Sequence, residues 1–389
     1  MRDFLSKKTK LIQPSGIRKF FDIVATAEDA ISLGVGEPDF VTPYNVREAG
    51  ISSLQRGLTQ YTGNRGLPLL RELIARYLNE RFGLQYAPEH ILVTIGGSEG
   101  IDLALRACIE EGDEVLIPAP AYVSYAPLVS LSGGTPVCVK CREENGFILR
   151  ADELEKAVTP RAKAVMLNYP NNPTGAVMKK EELQAIADVI IRRDLLVISD
   201  EIYAELTYGQ KHVSIAGLPN MQARTVYVSG FSKAFAMTGW RLGFVCAPAE
   251  IDEAMFKIHQ FAIMCAPTVS QYGAVEALKS GFLDGFARVE EMRSSYDKRR
   301  KFTLSSLREI GLECVEPRGA FYAFPSVKST GMNADGFANA LFSAQKVAVV
   351  PGNAFGKFGE NNVRISYSAS DTALSQAFER ISAFIKKNK

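Results

Sequence analysis

The chain has 389 residues, and its 45 Lys and Arg side chains nearly balance 43 Asp and Glu side chains, giving a formal net charge of +2. Hydrophobic residues make up 47% of the chain and charged residues 23%, which excludes long disordered stretches, collagen-like repeats and a small disulfide-stapled scaffold. The balanced charge gives no reason to expect nucleic-acid binding, and the length predicts two domains.

Two stretches decide what the sequence predicts about membranes. Met1–Pro14 carries basic residues but is not followed by the apolar segment of a secretory signal. Val115–Val139 contains no charged residue, but four prolines and a Gly-Gly pair interrupt it, a combination that a membrane-spanning helix would not contain. We therefore expect a buried strand–loop–helix–strand passage there, no membrane contact and a cytoplasmic location.

Short apolar runs alternate with amphipathic stretches through the middle of the chain. The runs predict seven strands, at Ile91–Ile95, Glu114–Ile117, Pro136–Lys140, Lys163–Leu167, Leu195–Ser199, Thr225–Ser229 and Leu242–Cys246. The stretches between them include the predicted helices Ser98–Ile109 and Lys179–Arg193. Apolar strands separated by helices are typical of a mostly parallel sheet covered on both faces. Such sheets bind ligands at the carboxyl ends of their strands, so chemistry is expected there.

The pattern changes after about residue 284. A long charged helix is predicted at Asp284–Ile310. Further strands are predicted at Ala320–Phe324, Ala348–Val350 and Val363–Ser366, and helices at Asp335–Ala344 and Thr372–Lys386. This mixture predicts a smaller α+β domain, formed by residues 1–45 and 285–389, beside a large domain of residues 46–284.

Several common catalytic motifs are absent from the sequence. There is no G-x-x-x-x-G-K-[ST], G-x-S-x-G or H-E-x-x-H, and Gly34–Asp39 lacks the third glycine of a dinucleotide fingerprint. Only three histidines are present, so a Ser-His-Asp or metal-dependent hydrolase is poorly supported. Cys138 and Cys141 lie three positions apart on a predicted strand and should face opposite sides. We therefore expect no metal site and interpret the cysteines as buried thiols.

Distinctive residues follow three of the predicted strands. Gly96–Gly100 leads directly into a helix, which supplies free N–H groups and a positive helix end for a phosphate, although Ser98 is also an ordinary N-cap residue. Asn168–Gly175 would by itself be interpreted as a turn. Asp200 and Tyr203 emerge from a buried strand, where an acid and a phenol are costly to bury without partners.

The strongest signal follows the strand at Thr225–Ser229. Lys233 lies after a turn of small residues and is flanked by aromatic and aliphatic side chains, which predicts that it is buried. Burial lowers the pKa of a lysine and makes its amine a competent nucleophile. Arg241 follows eight positions later, beside the single tryptophan, Trp240.

Taken together these residues resemble a known family. Ser229-x-x-Ser-Lys233 followed by Gly-Trp-Arg241-x-Gly is similar to the pyridoxal-phosphate lysine signature of class I (fold type I) aminotransferases. The same family motifs occur in the same order at Gly36-Glu-Pro-Asp39, Asn172-Pro-Thr-Gly175, Asp200-x-x-Tyr203 and Arg364. The resemblance is strongest to the aromatic and aspartate aminotransferases of bacteria and archaea. It implies an α/β protein with a mostly parallel seven-stranded sheet sandwiched by helices, a smaller α+β domain, and pyridoxal 5′-phosphate bound in the large domain.

The resemblance also implies roles at the cofactor. Lys233 would hold it covalently and later move a proton as general base and general acid, and Asp200 would pair with the pyridine nitrogen. The other implied contacts are Asn172 and Tyr203 at the phenolic oxygen, Tyr122 on the ring face, and Gly97, Ser98, Glu99, Ser232 and Arg241 at the phosphate. The family's usual serine is Gly230 here, so Ser229 remains an alternative to Ser232.

Further roles concern the substrate and a second subunit. By the same resemblance Arg364 would bind the substrate α-carboxylate bidentately, beside Gly36 and Asn172. Tyr61 would reach the phosphate of the neighbouring subunit, which implies a homodimer with shared active sites. A side-chain pocket formed by Ile17, Tyr61 and Tyr322 would be largely apolar.

That pocket favours aromatic or other apolar amino donors. The resemblance implies 2-oxoglutarate as acceptor and a ping-pong mechanism through the two forms of the cofactor. Aspartate or N-acetyl-diaminopimelate remains an alternative donor. A carbon–sulfur β-lyase, which would use the same Lys233, remains an alternative of another class.

Overall fold

The computed structural model describes residues 2–12 and 29–387. Its strands are β1 (Ile31–Ser32), β2 (Ile91–Thr94), β3 (Glu114–Ala119), β4 (Thr135–Lys140), β5 (Ala162–Leu167), β6 (Leu196–Asp200), β7 (Thr225–Gly230), β8 (Gly243–Cys246), β9 (Tyr322–Ala323), β10 (Val347–Ala348), β11 (Val350–Pro351) and β12 (Val363–Ser366). Its α-helices are α1 (Lys7–Lys10), α2 (Tyr44–Gln55), α3 (Pro68–Phe82), α4 (Gly96–Cys108), α5 (Tyr125–Ser132), α6 (Ala151–Ala157), α7 (Lys180–Arg192), α8 (Ala249–Ala262), α9 (Thr268–Asp284), α10 (Ala287–Ile310), α11 (Ala334–Gln345) and α12 (Asp371–Lys387).

The central feature is a seven-stranded sheet with the order β2-β8-β7-β6-β5-β3-β4. Only β8 runs against its neighbours β2 and β7, so the sheet is mostly parallel. The seven strands expected from the sequence are its seven strands, and buried apolar clusters lie on both faces. Because the inner strands are buried on both sides, most of their residues are apolar, whereas the edge strand β4 is largely exposed. The predicted α/β fold is confirmed.

Smaller sheets form beside the central one. β9, β11 and β12 make an antiparallel three-stranded sheet, and β1 pairs in parallel with β10. Helices α10, α11 and α12 pack with these strands around a separate buried cluster. The boundaries predicted at residues 46 and 284 remain predictions.

Several element boundaries differ from the expected ones. The predicted helix Asp284–Ile310 starts at Ala287, because Asp284 ends the preceding helix and Gly285, at φ +68°, breaks the backbone between them. The stretch predicted as one strand at Ala348–Val350 is divided between β10 and β11, which belong to different sheets. The helix predicted from Ser98 begins two residues earlier.

The uncharged stretch Val115–Val139 forms most of β3, a loop, α5 and most of β4, as expected. No helix in the described part of the chain is long and apolar enough to cross a membrane. The cytoplasmic location remains a prediction. Cys141 is buried but Cys138 is exposed, so the interpretation of the cysteines as buried thiols was wrong for Cys138, which lies on the edge strand β4.

Candidate active site

A cavity of about 950 Å³ opens at the carboxyl ends of the central strands. It is lined by residues that come from widely separated parts of the sequence. Predicted site residues on its wall are Gly36, Gly97, Ser98, Tyr122, Asn172, Asp200, Tyr203, Ser232, Lys233, Arg241, Tyr322 and Arg364. The sheet therefore brings together in one cavity most of the residues that the sequence singled out.

Lys233 lies in the turn that follows β7. Its Nζ donates a hydrogen bond of 2.6 Å to the carbonyl oxygen of Gly36. Burial lowers the pKa of Lys233 to about 8, and the nearby Glu37 carboxylate opposes this shift only in part. A lysine with this pKa is substantially neutral near pH 8, so its amine can act as a nucleophile and as a base.

Asp200 is the last residue of β6 and is almost completely buried. Its carboxylate accepts hydrogen bonds from the Tyr125 hydroxyl at 2.7 Å and from the backbone N–H of Ile202 at 3.2 Å. Burial raises the pKa of Asp200 to about 6, while the bond from Tyr125 counteracts the shift. Burial thus makes the charge of this carboxylate costly, so the site favours a cationic partner that offsets the cost.

Two buried tyrosines form the wall beside Lys233. The hydroxyl oxygens of Tyr203 and Tyr322 lie 2.8 Å apart, and the Lys233 amine is 5.8 Å from the centre of the Tyr203 ring. A Cβ atom at Gly36 would come within 2.7 Å of the Tyr322 hydroxyl oxygen, so only glycine allows the backbone to approach this closely.

Arg364, on β12, is buried in the same wall. Its Nη1 donates to the Asn172 side-chain oxygen at 2.8 Å and its Nη2 to the Gly34 carbonyl at 2.6 Å. The guanidinium lies over the rings of Tyr322, at 4.4 Å, and Phe355, at 4.9 Å. Within residues 2–12 and 29–387, its hydrogen-bond partners are neutral and its Nε–H has no partner, so this cation is suited to an incoming carboxylate.

The opposite end of the cavity is built for an anion. Helix α4 begins at Gly96, and its first N–H groups have no partners within the helix. Gly96 has φ +72°, and a Cβ atom there would lie 2.7 Å from Nη2 of Arg241. The glycine therefore lets the guanidinium sit against the positive end of the helix, an arrangement that suits a phosphate.

The structure distinguishes the serines and corrects one assignment. Ser232 lines the cavity, whereas Ser229 directs its hydroxyl toward the carbonyl oxygen of Glu201 at 3.4 Å. Ser98 is not an N-cap, because the helix starts before it and its hydroxyl caps nothing. The Glu99 side chain instead accepts the N–H of Ile95 at 2.5 Å and faces away from the cavity.

Three predicted residues lie apart from this set or define its edges. Tyr122 lines the cavity with its ring edge toward Tyr125, at 5.4 Å between ring centres. Tyr61 is 78% exposed and does not line the cavity of its own chain. Ile17 lies outside the described residues.

The comparison with known proteins decides the family. Residues 28–381 match the family described as "Aminotransferase class I and II". The chain is 53% identical to the putative aminotransferase YugH of Bacillus subtilis, with all of both chains covered. It is 48% identical to an aspartate aminotransferase of Pyrococcus abyssi, with 99% of each covered. The chain belongs to the class I and II aminotransferases.

A solved structure agrees with this assignment. The crystal structure of an aromatic aminotransferase from Pyrococcus horikoshii superposes with a TM-score of 0.90 and 46% identity, covering 96% of this chain and 99% of that one. The protein is accordingly an aminotransferase of fold type I that uses pyridoxal 5′-phosphate. Its residues fit that cofactor, since the cavity offers a lysine of lowered pKa, a buried carboxylate and an anion site at a helix end.

Two residues that support the site of this aminotransferase were missed in the sequence. Tyr125 holds the Asp200 carboxylate, and Asn168 donates to the Asp200 carbonyl at 2.9 Å while accepting the N–H of Asn172 at 3.0 Å. Asn168 directly follows β5, so its position at a strand end was a usable signal. Tyr125 carried no such signal, because it lies inside the first turn of a helix.

Proposed function

We propose that the enzyme transfers the amino group of an L-amino acid with an aromatic or other apolar side chain to 2-oxoglutarate, by a ping-pong mechanism. The observation that carries the proposal is the cavity that joins Lys233, Asp200 and Arg364 under largely apolar walls.

The protein would hold the cofactor at five points. Lys233 would attach to it covalently, and Asp200 would receive the pyridine N–H. The Asn172 amide would donate to the phenolic oxygen, since its side-chain oxygen is already occupied by Arg364. The N-terminal end of α4, with Ser232 and Arg241, would bind the phosphate, and Tyr122 would lie against the ring.

The bound cofactor supplies an electron sink that stabilises negative charge on the substrate Cα atom. Lys233, once its amine is free, would take the proton from the substrate Cα onto its Nζ as general base and later release it as general acid. Its lowered pKa matches this work near neutral pH. Asp200 would keep the pyridine nitrogen protonated, because a buried carboxylate is stabilised by a cationic hydrogen-bond partner next to it.

Arg364 would bind the α-carboxylate and so fix the orientation of the substrate. Its Nη1 and Nη2 each use one N–H, toward Asn172 and Gly34, and each keep a second N–H, while the guanidinium lines the cavity over the Tyr322 and Phe355 rings. The backbone at Gly36 lies next to the same guanidinium, since a Cβ atom built on Gly36 would be 3.8 Å from Nη2 of Arg364. A carboxylate held there would place the amino group of the substrate toward Lys233.

The side-chain pocket supports an apolar donor. Among the described residues, the cations that line the cavity are Lys233, Arg241 and Arg364, and each is already assigned to the cofactor or the α-carboxylate. The remaining wall includes Ile12, Tyr122, Val123, Pro127, Leu128 and Tyr322. Because the described residues place no further cation in the cavity, burying the second carboxylate of a donor would cost desolvation free energy that no ion pair offsets.

A panel of amino donors tests this proposal. With 2-oxoglutarate as acceptor, phenylalanine and tyrosine are expected to exceed aspartate in kcat/KM by at least about tenfold, since a buried carboxylate without a partner is rejected more strongly than a change in apolar size. A preference for aspartate would contradict the apolar assignment. It would support the alternative suggested by the P. abyssi relative, which is named an aspartate aminotransferase.

A second assay separates transfer from β-elimination. Incubation with cystathionine in the absence of a 2-oxo acid acceptor should yield no sustained release of pyruvate. Rapid pyruvate release under these conditions would instead support a carbon–sulfur β-lyase that uses the same lysine.

We further propose that two chains share their active sites in a homodimer. Tyr61 supports this, because a tyrosine that is 78% exposed lies on a loop tied to the fold by a hydrogen bond of 2.9 Å from Thr268 to the Gln60 carbonyl. An exposed aromatic ring on an anchored loop is suited to contact a second chain.

Hybrid dimers of Lys233→Ala and Tyr61→Ala chains test the sharing. Each variant alone should have low activity. In a shared arrangement, one site of the hybrid carries both changes and the other carries neither, so the hybrid should regain about half of the wild-type activity per dimer. Activity no higher than that of the Tyr61→Ala protein would show that each chain builds its own site.

A further inference from the structure

A buried histidine lies directly behind the phosphate end of the cavity. His259, on α8, has a fully buried side chain. Its Nδ1 lies 2.6 Å from a carboxylate oxygen of Glu99, and its Nε2 lies 3.0 Å from the carbonyl oxygen of Asn64. The ring thus connects the first turn of α4 to the loop that carries Tyr61.

Both ring nitrogens of His259 face acceptors. A backbone carbonyl can only accept, so Nε2 must carry a proton, and the Glu99 oxygen opposite Nδ1 requires another proton between them. The second oxygen of Glu99 accepts the backbone N–H of Ile95, and a carboxylate in the first turn of a helix is favoured in its ionised form. With Nε2 protonated toward the Asn64 carbonyl and one further proton between Nδ1 and the Glu99 oxygen, the pair as a whole carries no net charge.

The charge of Glu99 bears on the phosphate. Glu99 belongs to the same helical turn whose N–H groups face the anion site, so an uncompensated carboxylate there would offset the positive helix end and repel a dianion. Among the described residues, His259 is the side chain that forms an ion pair with Glu99. Arg65, beside Asn64 in sequence, is engaged by Asp252 at 2.8 Å and Glu253 at 2.6 Å.

We propose that His259 is a positioning residue that neutralises Glu99, so that the N-terminal end of α4 remains an effective phosphate site. Glu99 then caps the helix and fixes its start at Gly96 without weakening anion binding. This inference rests on the proposed position of the cofactor phosphate. It concerns the affinity for the phosphate group and not the chemistry at Lys233.

Cofactor binding by the full-length protein, freed of cofactor, tests the inference. Pyridoxal phosphate is compared with pyridoxal, which lacks the phosphate. His259→Gln should raise the Kd for pyridoxal phosphate about tenfold, because a carboxylate is left uncompensated near the anion, while the Kd for pyridoxal stays unchanged. Glu99→Gln combined with His259→Gln should recover most of that loss, because the pair is again neutral.

Two further variants separate the possible outcomes. His212→Gln is the matched control, because His212 is also buried and lies 2.6 Å from a glutamate, Glu201, but away from α4. Any change in Kd that it causes should be equal for pyridoxal phosphate and pyridoxal. Arg241→Leu should weaken only pyridoxal phosphate. If Arg241→Leu shows no such selectivity, the proposed phosphate position is wrong.

If Arg241→Leu selectively weakens pyridoxal phosphate, but His259→Gln and the double variant lose equal affinity for it, then His259 does not act by neutralising Glu99. Its role would then be merely structural. The charge itself can be read by ¹⁵N NMR of labelled histidine, which is practicable because the chain has three histidines. The signal that disappears in His259→Gln should be that of an imidazolium at pH 7.5. A neutral ring there would contradict the proposal.

Discussion

Replacing Lys233 with alanine is expected to lower the rate of amino transfer by about 10⁴-fold or more, because one side chain supplies both the covalent anchor and the proton carrier. The turn after β7 places this amine 2.6 Å from the Gly36 carbonyl, between the proposed positions of the cofactor and the α-carboxylate. The measurement is a single turnover of the holoenzyme with phenylalanine. A rate within tenfold of wild type would refute the assignment.

The stability of the cofactor-free protein provides the control for this variant. Burial lowers the pKa of Lys233 from 10.5 to about 8, so between these values the unfolded chain binds a proton that the folded chain does not. The lysine thus makes stability rise as pH increases from about 8 to 10.5. The Lys233→Ala protein should fold and should lack this contribution, which urea unfolding across that pH range would show.

Replacing Arg364 with alanine is expected to lower kcat/KM for the amino donor by two to three orders of magnitude, consistent with a loss of about 3–4 kcal/mol for a buried, bidentate contact. Arg364 is buried at the cavity wall, its guanidinium lies over two rings, and its hydrogen-bond partners among the described residues are neutral. Donor titrations with saturating 2-oxoglutarate would measure the loss.

Arg364→Lys is the matched control for that prediction. A lysine keeps the charge but not the planar fork of donors, so it should recover only a minor part of the lost kcat/KM. Full recovery would mean that charge alone is required, and an unchanged kcat/KM in the alanine variant would move the carboxylate site elsewhere.

Much of this site could be predicted, because the ends of buried apolar strands can be recognised in the sequence. Asp200 and Lys233 follow buried apolar runs, and the parallel strands that carry them end at one edge of the sheet. Arg364 was predictable only through its motif, since it lies inside a short strand of a different sheet. Its burial and its ring contacts depend on how the two sheets pack.

The contacts that tune the site could not be predicted. Tyr125 reaches Asp200 across 75 positions, and His259 reaches Glu99 across 160. No local pattern specifies such pairs, because they arise only when distant elements pack together. The start of α4 was predicted two residues too late for a related reason. The Glu99 side chain accepts the N–H of Ile95, just before the helix, whereas Ser98, the residue with the usual cap chemistry, faces the cavity.

The most direct measurement is a single-turnover experiment without an amino acceptor. Wild-type holoenzyme mixed with phenylalanine should release about one equivalent of phenylpyruvate per site and stop, and later addition of 2-oxoglutarate should yield a matching amount of glutamate. Lys233→Ala holoenzyme should release none. Continued turnover with release of ammonia, or an equal burst from the alanine variant, would contradict an aminotransferase mechanism centred on Lys233.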